Sequence, residues 1–468
     1  MNTIIAIVKN GIKEKGRTVI FLALSLFLVE ETVRLGISSV LYAEGDIHPM
    51  EIGLVLNPHD AELNYSLARL YHMLTLDEKR AEALYVDSLK LNPLLSSSWL
   101  GIAEMLVENS VGDEARGRSQ NGEKEKARVA LGRLTELTPN SIADLWEGSM
   151  LALRLGDRSM AMEGLRTVAK ADPQRRNRVF DICWQVIGDP VPILQNVVSD
   201  EVLPSYLTYL ISKDKLNETY AVWKRMREKK VDHGDSELRY VDFLLKRGDV
   251  EMAAVVWDKL FPGAKNDSLV WNGSFENKPV GRGFDWRIGK VEGVKIDFDA
   301  AKKIKGGKSL RVEFSGENNV NFNHVSQIIP VEPGSDYILT SNISTEDITT
   351  RNGIGWEVIC NGMREKSETI TGTVDWIDND LAFTTPPDCR FINLILRRFK
   401  SNKLDKYISG TAWVDNVNLF KLGSKTNYGR AKSSEGSQDR TLFLQDGDWK
   451  TKGLNFGINR KKEEAENL

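Results

Sequence analysis

Two hydrophobic periods divide the chain. Up to about residue 263, apolar residues recur three and four positions apart, as in Leu238, Val241, Leu244 and Leu245, which is the spacing of one helix face. From Leu269 to Leu422 the period falls to two. Leu310-Arg311-Val312-Glu313-Phe314, Val325-Ser326-Gln327-Ile328-Ile329, Tyr337-Ile338-Leu339-Thr340, Trp356-Glu357-Val358-Ile359 and Phe391 to Leu396 alternate like strands with one buried and one wet face. Turn signals at Gly306-Gly307, Glu332-Pro333-Gly334 and Pro386-Pro387 separate these runs. The pattern predicts an all-α array followed by an all-β sandwich of about eight strands or more.

The helical half repeats. Leu56-Asn57-Pro58, Leu91-Asn92-Pro93, Leu137-Thr138-Pro139 and Ala171-Asp172-Pro173 close successive units at intervals of 35, 46 and 34 residues. A period near 34 marks stacked helix hairpins. The long interval is assigned to Ser110–Glu123, polar and glycine-containing, as an enlarged turn. Asp189-Pro190-Val191-Pro192 then breaks the helical spacing, which resumes through Tyr206, Leu207, Leu210, Ala221, Val222 and Trp223. Arg247-Gly248-Asp249 spells an adhesion tripeptide, but Leu155-Gly156-Asp157 at the equivalent point of an earlier unit reads it as a tight helix–helix turn.

This half resembles the tetratricopeptide repeat family. The match runs through Leu67, Ala68, Tyr71, Ala81, Tyr85, Ser88 and Pro93, then Trp99, Ile102, Ala103, Ala127, Leu131 and Pro139, then Leu145, Gly148, Ala161, Leu165 and Pro173. The resemblance implies a superhelical solenoid over residues 46–263 that holds a protein partner, with a simple spacer as the alternative.

In the β half, Asn272-Gly273-Ser274-Phe275-Glu276, Gly283-Phe284-Asp285-Trp286, Gly307 to Val312, Gln327 to Gly334 and Ala412-Trp413-Val414-Asp415-Asn416-Val417 resemble the galactose-binding-like jelly rolls among carbohydrate-binding modules. That resemblance implies a jelly roll over 264–422, a glycan ligand, and a structural calcium ion tying first strand to last through Glu276 and Asp415. Ordinary hydrogen bonds across the sandwich are the alternative for those two carboxylates. Sugar binding needs aromatic faces and planar polar groups. Trp356, Trp376, Tyr337 and Phe322, with Asn321, Asn323, Glu357 and Arg397, supply the residue types. The expected glycan site is Trp356, Glu357, Tyr337 and Arg397, against the competing reading of the aromatics as core.

Charge narrows the partners. A formal −3 from 63 basic and 66 acidic residues gives no general attraction to nucleic acid. Three cysteines form no disulfide framework or metal motif; Cys360 and Cys389 share a module and pair only if the chain is exported. Lys9, Lys13, Lys15 and Arg17 precede an uncharged apolar run from Val19 to Val29, as in an export signal. Leu41-Tyr42-Ala43 is a poor cleavage site, so residues 1–45 are expected to form an uncleaved signal-anchor spanning the inner membrane, with the bulk on the periplasmic side. Glu30, Glu31 and Arg34 argue for the alternative, a first solenoid helix. Residues 423–468, polar and ending near Lys461-Lys462-Glu463-Glu464, read as a disordered tail with a docking candidate at Leu442-Phe443-Leu444 and Trp449.

No phosphate loop, nucleophile elbow or histidine pair at metal spacing is present. The expectation is therefore a non-catalytic, membrane-anchored bacterial scaffold for cell-envelope or exopolysaccharide assembly. A purely protein-binding scaffold and a polysaccharide-modifying enzyme are the alternatives.

Overall fold

Aspartates set the rhythm of the helical half. Asp77, Asp157 and Asp249 each follow a turn and accept a hydrogen bond from the third amide of the next helix, satisfying a donor that the helix itself leaves open. Gly156 and Gly248 take φ of 81° and 77° just before two of these caps. Arg247-Gly248-Asp249 is thus a helix-closing glycine followed by a helix-opening aspartate, as Leu155-Gly156-Asp157 predicted.

The computed structural model describes residues 2–115, 121–231, 235–262 and 268–423. Its helices are α1 (Asn2–Ala43), α2 (Ile47–Leu56), α3 (Ala61–Leu70), α4 (Glu78–Leu91), α5 (Ser96–Ala115), α6 (Asn121–Leu137), α7 (Ile142–Arg154), α8 (Arg158–Ala171), α9 (Arg176–Val186), α10 (Pro190–Pro192), α11 (Leu203–Ser212), α12 (Leu216–Lys229), α13 (Ser236–Lys246) and α14 (Val250–Leu260). Antiparallel pairs form between α3 and α4, α5 and α6, α7 and α8, α11 and α12, and α13 and α14, and odd-numbered helices pack side by side between pairs. Ala68, Ala81, Ala103, Ala127, Ala152 and Ala161 are fully buried where helices cross, with Leu67, Tyr85 and Leu131 filling the space beside them.

One boundary differs from expectation. α5 runs on to Ala115 and α6 starts at Asn121, so helical backbone extends into both ends of the segment Ser110–Glu123 that was expected to be a turn. α1 ends at Ala43, inside the expected border at residue 45, and its last turns pack on α2, where buried Ser38 donates to the Gly53 carbonyl at 2.9 Å. Every apolar residue from Val19 to Val29 is exposed, but the uncharged stretch ends at Glu30 after only ~18 Å of helix, against ~30 Å of hydrocarbon. No helix among the described residues is long and apolar enough to cross a membrane, so a spanning anchor is not supported. The expected docking segment at 442–449 and the tail after Gly423 lie outside the described residues.

Eleven strands form the β half among the described residues: β1 (Arg287–Ile288), β2 (Val294–Asp299), β3 (Ser309–Ser315), β4 (Phe322–Pro330), β5 (Asp336–Ile348), β6 (Gly355–Cys360), β7 (Met363–Lys366), β8 (Gly372–Asp378), β9 (Leu381–Thr384), β10 (Phe391–Arg398) and β11 (Ser409–Lys421). They make two antiparallel sheets, β1-β4-β10-β6-β7 and β2-β3-β11-β5-β8, with β9 beside β5. Between them lies a core of Phe275, Trp286, Phe322, Tyr337, Trp356 and the inward aliphatic residues. Cys360 and Cys389 form a disulfide that joins the end of β6 to the turn before β10.

The two halves pack against each other. Trp257 and Phe261 of the last solenoid hairpin meet Trp271 and Phe284 of the β half, with ring centroids 4.5 to 5.9 Å apart around Trp257. Ile328 and Phe391 on the outer face of the first sheet pack against the same cluster. Polar contacts ring it: Arg282 with Asp235 at 2.7 Å, the Gly283 amide on Asp242 at 2.9 Å, and Arg390 with Glu251 at 2.6 Å. A Cβ on Gly283 would fall 2.5 Å from the Trp257 ring, so only glycine admits this approach. Met1–Lys421 accordingly forms one compact unit.

Candidate functional site

Strand alternation sorts the expected glycan residues. Trp356 faces the inter-sheet core, 1% exposed, with its indole N–H donated to Ser341 Oγ at 2.8 Å and its ring 6.0 Å from Trp286. Tyr337 is also buried; its hydroxyl accepts the Glu332 amide at 2.7 Å and its ring stacks on Phe383. Neither presents a face to a sugar, and the core reading holds for both. Phe322 is in the same core, Trp376 is half-buried on β8, and Asn321, just before β4, and Asn323, on it, are exposed.

Glu357 and Arg397 do come together, on the outer face of the first sheet. Being one residue on from Trp356, Glu357 points the other way. It is bridged by Arg397 at 3.2 Å and Arg364 at 2.7 Å, two guanidiniums on one nearly buried carboxylate. Arg397 and Lys366 also lie over the Phe399 ring at 4.0 and 4.1 Å. Burial pulls the Arg397 guanidinium below its usual value, and burial together with Arg397 lowers His324. One end of this face, at Ile328 and Phe391, is covered by the solenoid; the end with Arg364, exposed, is open.

The carboxylates expected to hold calcium instead hold a loop. Asp415 accepts the amides of Ile304, Lys305 and Asn416 at 2.7, 2.9 and 2.6 Å, and Glu276 accepts those of Gly307 and Lys308 at 2.8 and 3.3 Å. Nearby, the Trp413 indole donates to Asp299 at 2.8 Å and keeps that carboxyl below its ordinary range. A calcium site needs six to eight converging oxygens, roughly. Here the groups converging on both carboxylates are N–H donors, whose positive ends repel a cation. No group of three or more His, Cys, Asp or Glu side chains able to hold a metal lies together among the described residues, and the amides facing Glu276 and Asp415 do not fit the ion.

A concavity also lies in the solenoid. A cleft of ≈ 660 Å³ opens between α9 and α11, lined by Arg178, Asp181, Ile182, Trp184, Gln185, Tyr209, Lys213 and Lys215. Asp181 Oδ1 accepts from the Tyr209 hydroxyl and from Lys213, both at 2.9 Å. The Lys213 bond holds the Asp181 carboxyl below its usual range, and burial with the Asp181 contact pushes the Tyr209 phenol up. Lys215 sits 4.7 Å over the Trp184 ring and Lys213 5.3 Å over Tyr209. Sequence reasoning missed this cleft because its two walls come from units after Pro173, where the repeat pattern fades. The available signal was the Lys213-Asp214-Lys215 turn following an apolar helix that carries Tyr209 on its flank.

No family model matches this chain, and no curated protein matches it. Solved structures similar to the helical half include tetratricopeptide proteins. One, from Thermus thermophilus, shares 20% identity over 46% of this chain and 99% of its own, with a TM-score of 0.24. PilF of Pseudomonas aeruginosa shares 14% over 50% of this chain and 93% of its own, with a TM-score of 0.25. Those similar to the β half include carbohydrate-binding modules, among them the CBM22-1 xylan-binding domain of Paenibacillus barcinonensis, at 12% identity over 33% of this chain and 94% of its own, with a TM-score of 0.22.

Proposed function

We propose that this chain is a non-catalytic recognition protein of a bacterial cell envelope, in which the solenoid holds a protein partner and the jelly-roll-like sandwich contacts glycan. The observation that carries the reading is the Trp257 aromatic junction, which fixes two recognition faces in one body. Independent binding modules would need only a linker. The disulfide between Cys360 and Cys389 suits an oxidising, extracytoplasmic compartment. The exposed apolar run of α1 behind Lys9, Lys13, Lys15 and Arg17 suits attachment to an anionic membrane surface, with the bulk outside the cytoplasm.

Glycan contact is assigned to the open end of the first sheet, at Glu357, Arg364 and Arg397. In native gels containing envelope polysaccharides, the full chain is expected to be retarded by at least one polymer, with apparent affinity falling about tenfold in Arg364→Ala. That side chain is exposed, so the variant keeps the fold. Unretarded migration in every polymer would remove the glycan and leave a scaffold that binds protein alone. Membrane attachment is read separately: the full chain should float with anionic vesicles, and a chain lacking residues 2–29 should stay in the dense fraction. Equal behaviour of the two would defeat that part of the proposal.

A further inference from the structure

The solenoid cleft carries more positive charge than it uses. Of its four ionic side chains, Asp181 and Lys213 pair with one another, whereas Arg178 and Lys215 form no ion pair among the described residues. Arg178 is exposed at the rim, and Lys215 is half-buried against Trp184. The formal sum in the cleft is three cations against one carboxylate. That carboxylate stays ionised at neutral pH and is held in place by two donors on a single oxygen, leaving Oδ2 to accept from a ligand. Ile182 and the half-buried Trp184 add an apolar wall beside the charges.

We propose that this cleft binds an acidic segment of a protein, with a carboxylate side chain between Arg178 and Lys215 and a neighbouring backbone N–H on Asp181 Oδ2. The inference rests on the reading of the solenoid as a partner-binding surface and gives the partner its chemistry. Its volume falls within the usual range for ligand sites, roughly 300–1,000 Å³. A guanidinium and an ammonium that form no salt bridge among the described residues complement an anion, and an adjacent acceptor and apolar wall complement the amide and side chain next to it. An acidic sugar would satisfy the cations equally. It would also want open aromatic faces, and here Trp184 and Tyr209 each carry an ammonium over the ring.

The test is isothermal titration of the full chain with hexaglutamate, a glycine–serine hexapeptide and oligogalacturonate, at ~0.15 M salt. Hexaglutamate is expected to bind with one-to-one stoichiometry, the neutral peptide not to bind, and oligogalacturonate to bind more weakly. Arg178→Ala and Lys215→Ala should each weaken hexaglutamate about tenfold, and Arg178→Lys should retain most of the affinity. Unchanged thermal midpoints would show that the variants remain folded. The proposal is overturned if hexaglutamate fails to bind, if both alanine variants bind it as the parent does, or if oligogalacturonate binds the cleft more tightly. Retardation by polysaccharide through Arg364 is independent of these outcomes, so failure here leaves the glycan reading standing.

Discussion

Replacing Trp257 with alanine is expected to remove ~3–5 kcal/mol of stability, the usual cost of deleting a large buried aromatic side chain. Trp257 is 4% exposed and touches Phe261, Trp271 and Phe284, so the cavity would open where the solenoid meets the sandwich. The neighbours cannot easily collapse into it. Gly283 is held at a φ of 56° against the missing ring, and its amide is tied to Asp242. Calorimetry should therefore show one cooperative transition in the parent and, in the variant, a lower midpoint with two separable transitions. A variant that loses less than ~1 kcal/mol and still melts as one unit would mean that the halves are coupled elsewhere.

Removing the disulfide comes next in size. Cys360 and Cys389 are 29 positions apart, and closing a loop of that length restricts the unfolded chain by ~3–4 kcal/mol in the chain-entropy account. Both residues are buried, and the bond ties the turn before β10 to β6, its neighbour in the first sheet. The Cys360→Ala/Cys389→Ala double variant should thus show a lower urea midpoint with the proposed glycan face loosened, because Glu357 and Arg397 lie on those two strands. Reducing agent should reproduce the shift in the parent and leave the double variant unaffected. Coincident urea curves for parent and double variant, with the same slope, would contradict this.

How much of this was legible in the sequence depended on the range of the signal. Helix hairpins closed by Pro58, Pro93, Pro139 and Pro173 are local, and alternation at Leu310–Phe314 and Phe391–Leu396 placed β3 and β10 directly. Strands β2 and β9 alternate but are short, and β7 and β8 carry weaker alternation; none of the four was read. Trp356 was read as a strand residue, but alternation alone does not say which face is inward, and the indole lies in the inter-sheet core. Glu276 and Asp415 were expected to face a calcium ion between first strand and last, and the identity of what faces them, backbone amides, is invisible to a residue pattern. The cleft and the Trp257 junction are the least local features. Each joins residues from separate elements, and nothing in either segment alone marks its partner.

The account stands on the solenoid and sandwich being one rigid body that fixes its recognition faces. The direct measurement is the interspin distance distribution, by pulsed dipolar spectroscopy, between labels at Arg166→Cys on α8 and Glu365→Cys on β7, both exposed. One narrow distribution, broadened by Trp257→Ala, is the predicted result. A broad distribution in the parent chain, unaltered by that substitution, would contradict the account.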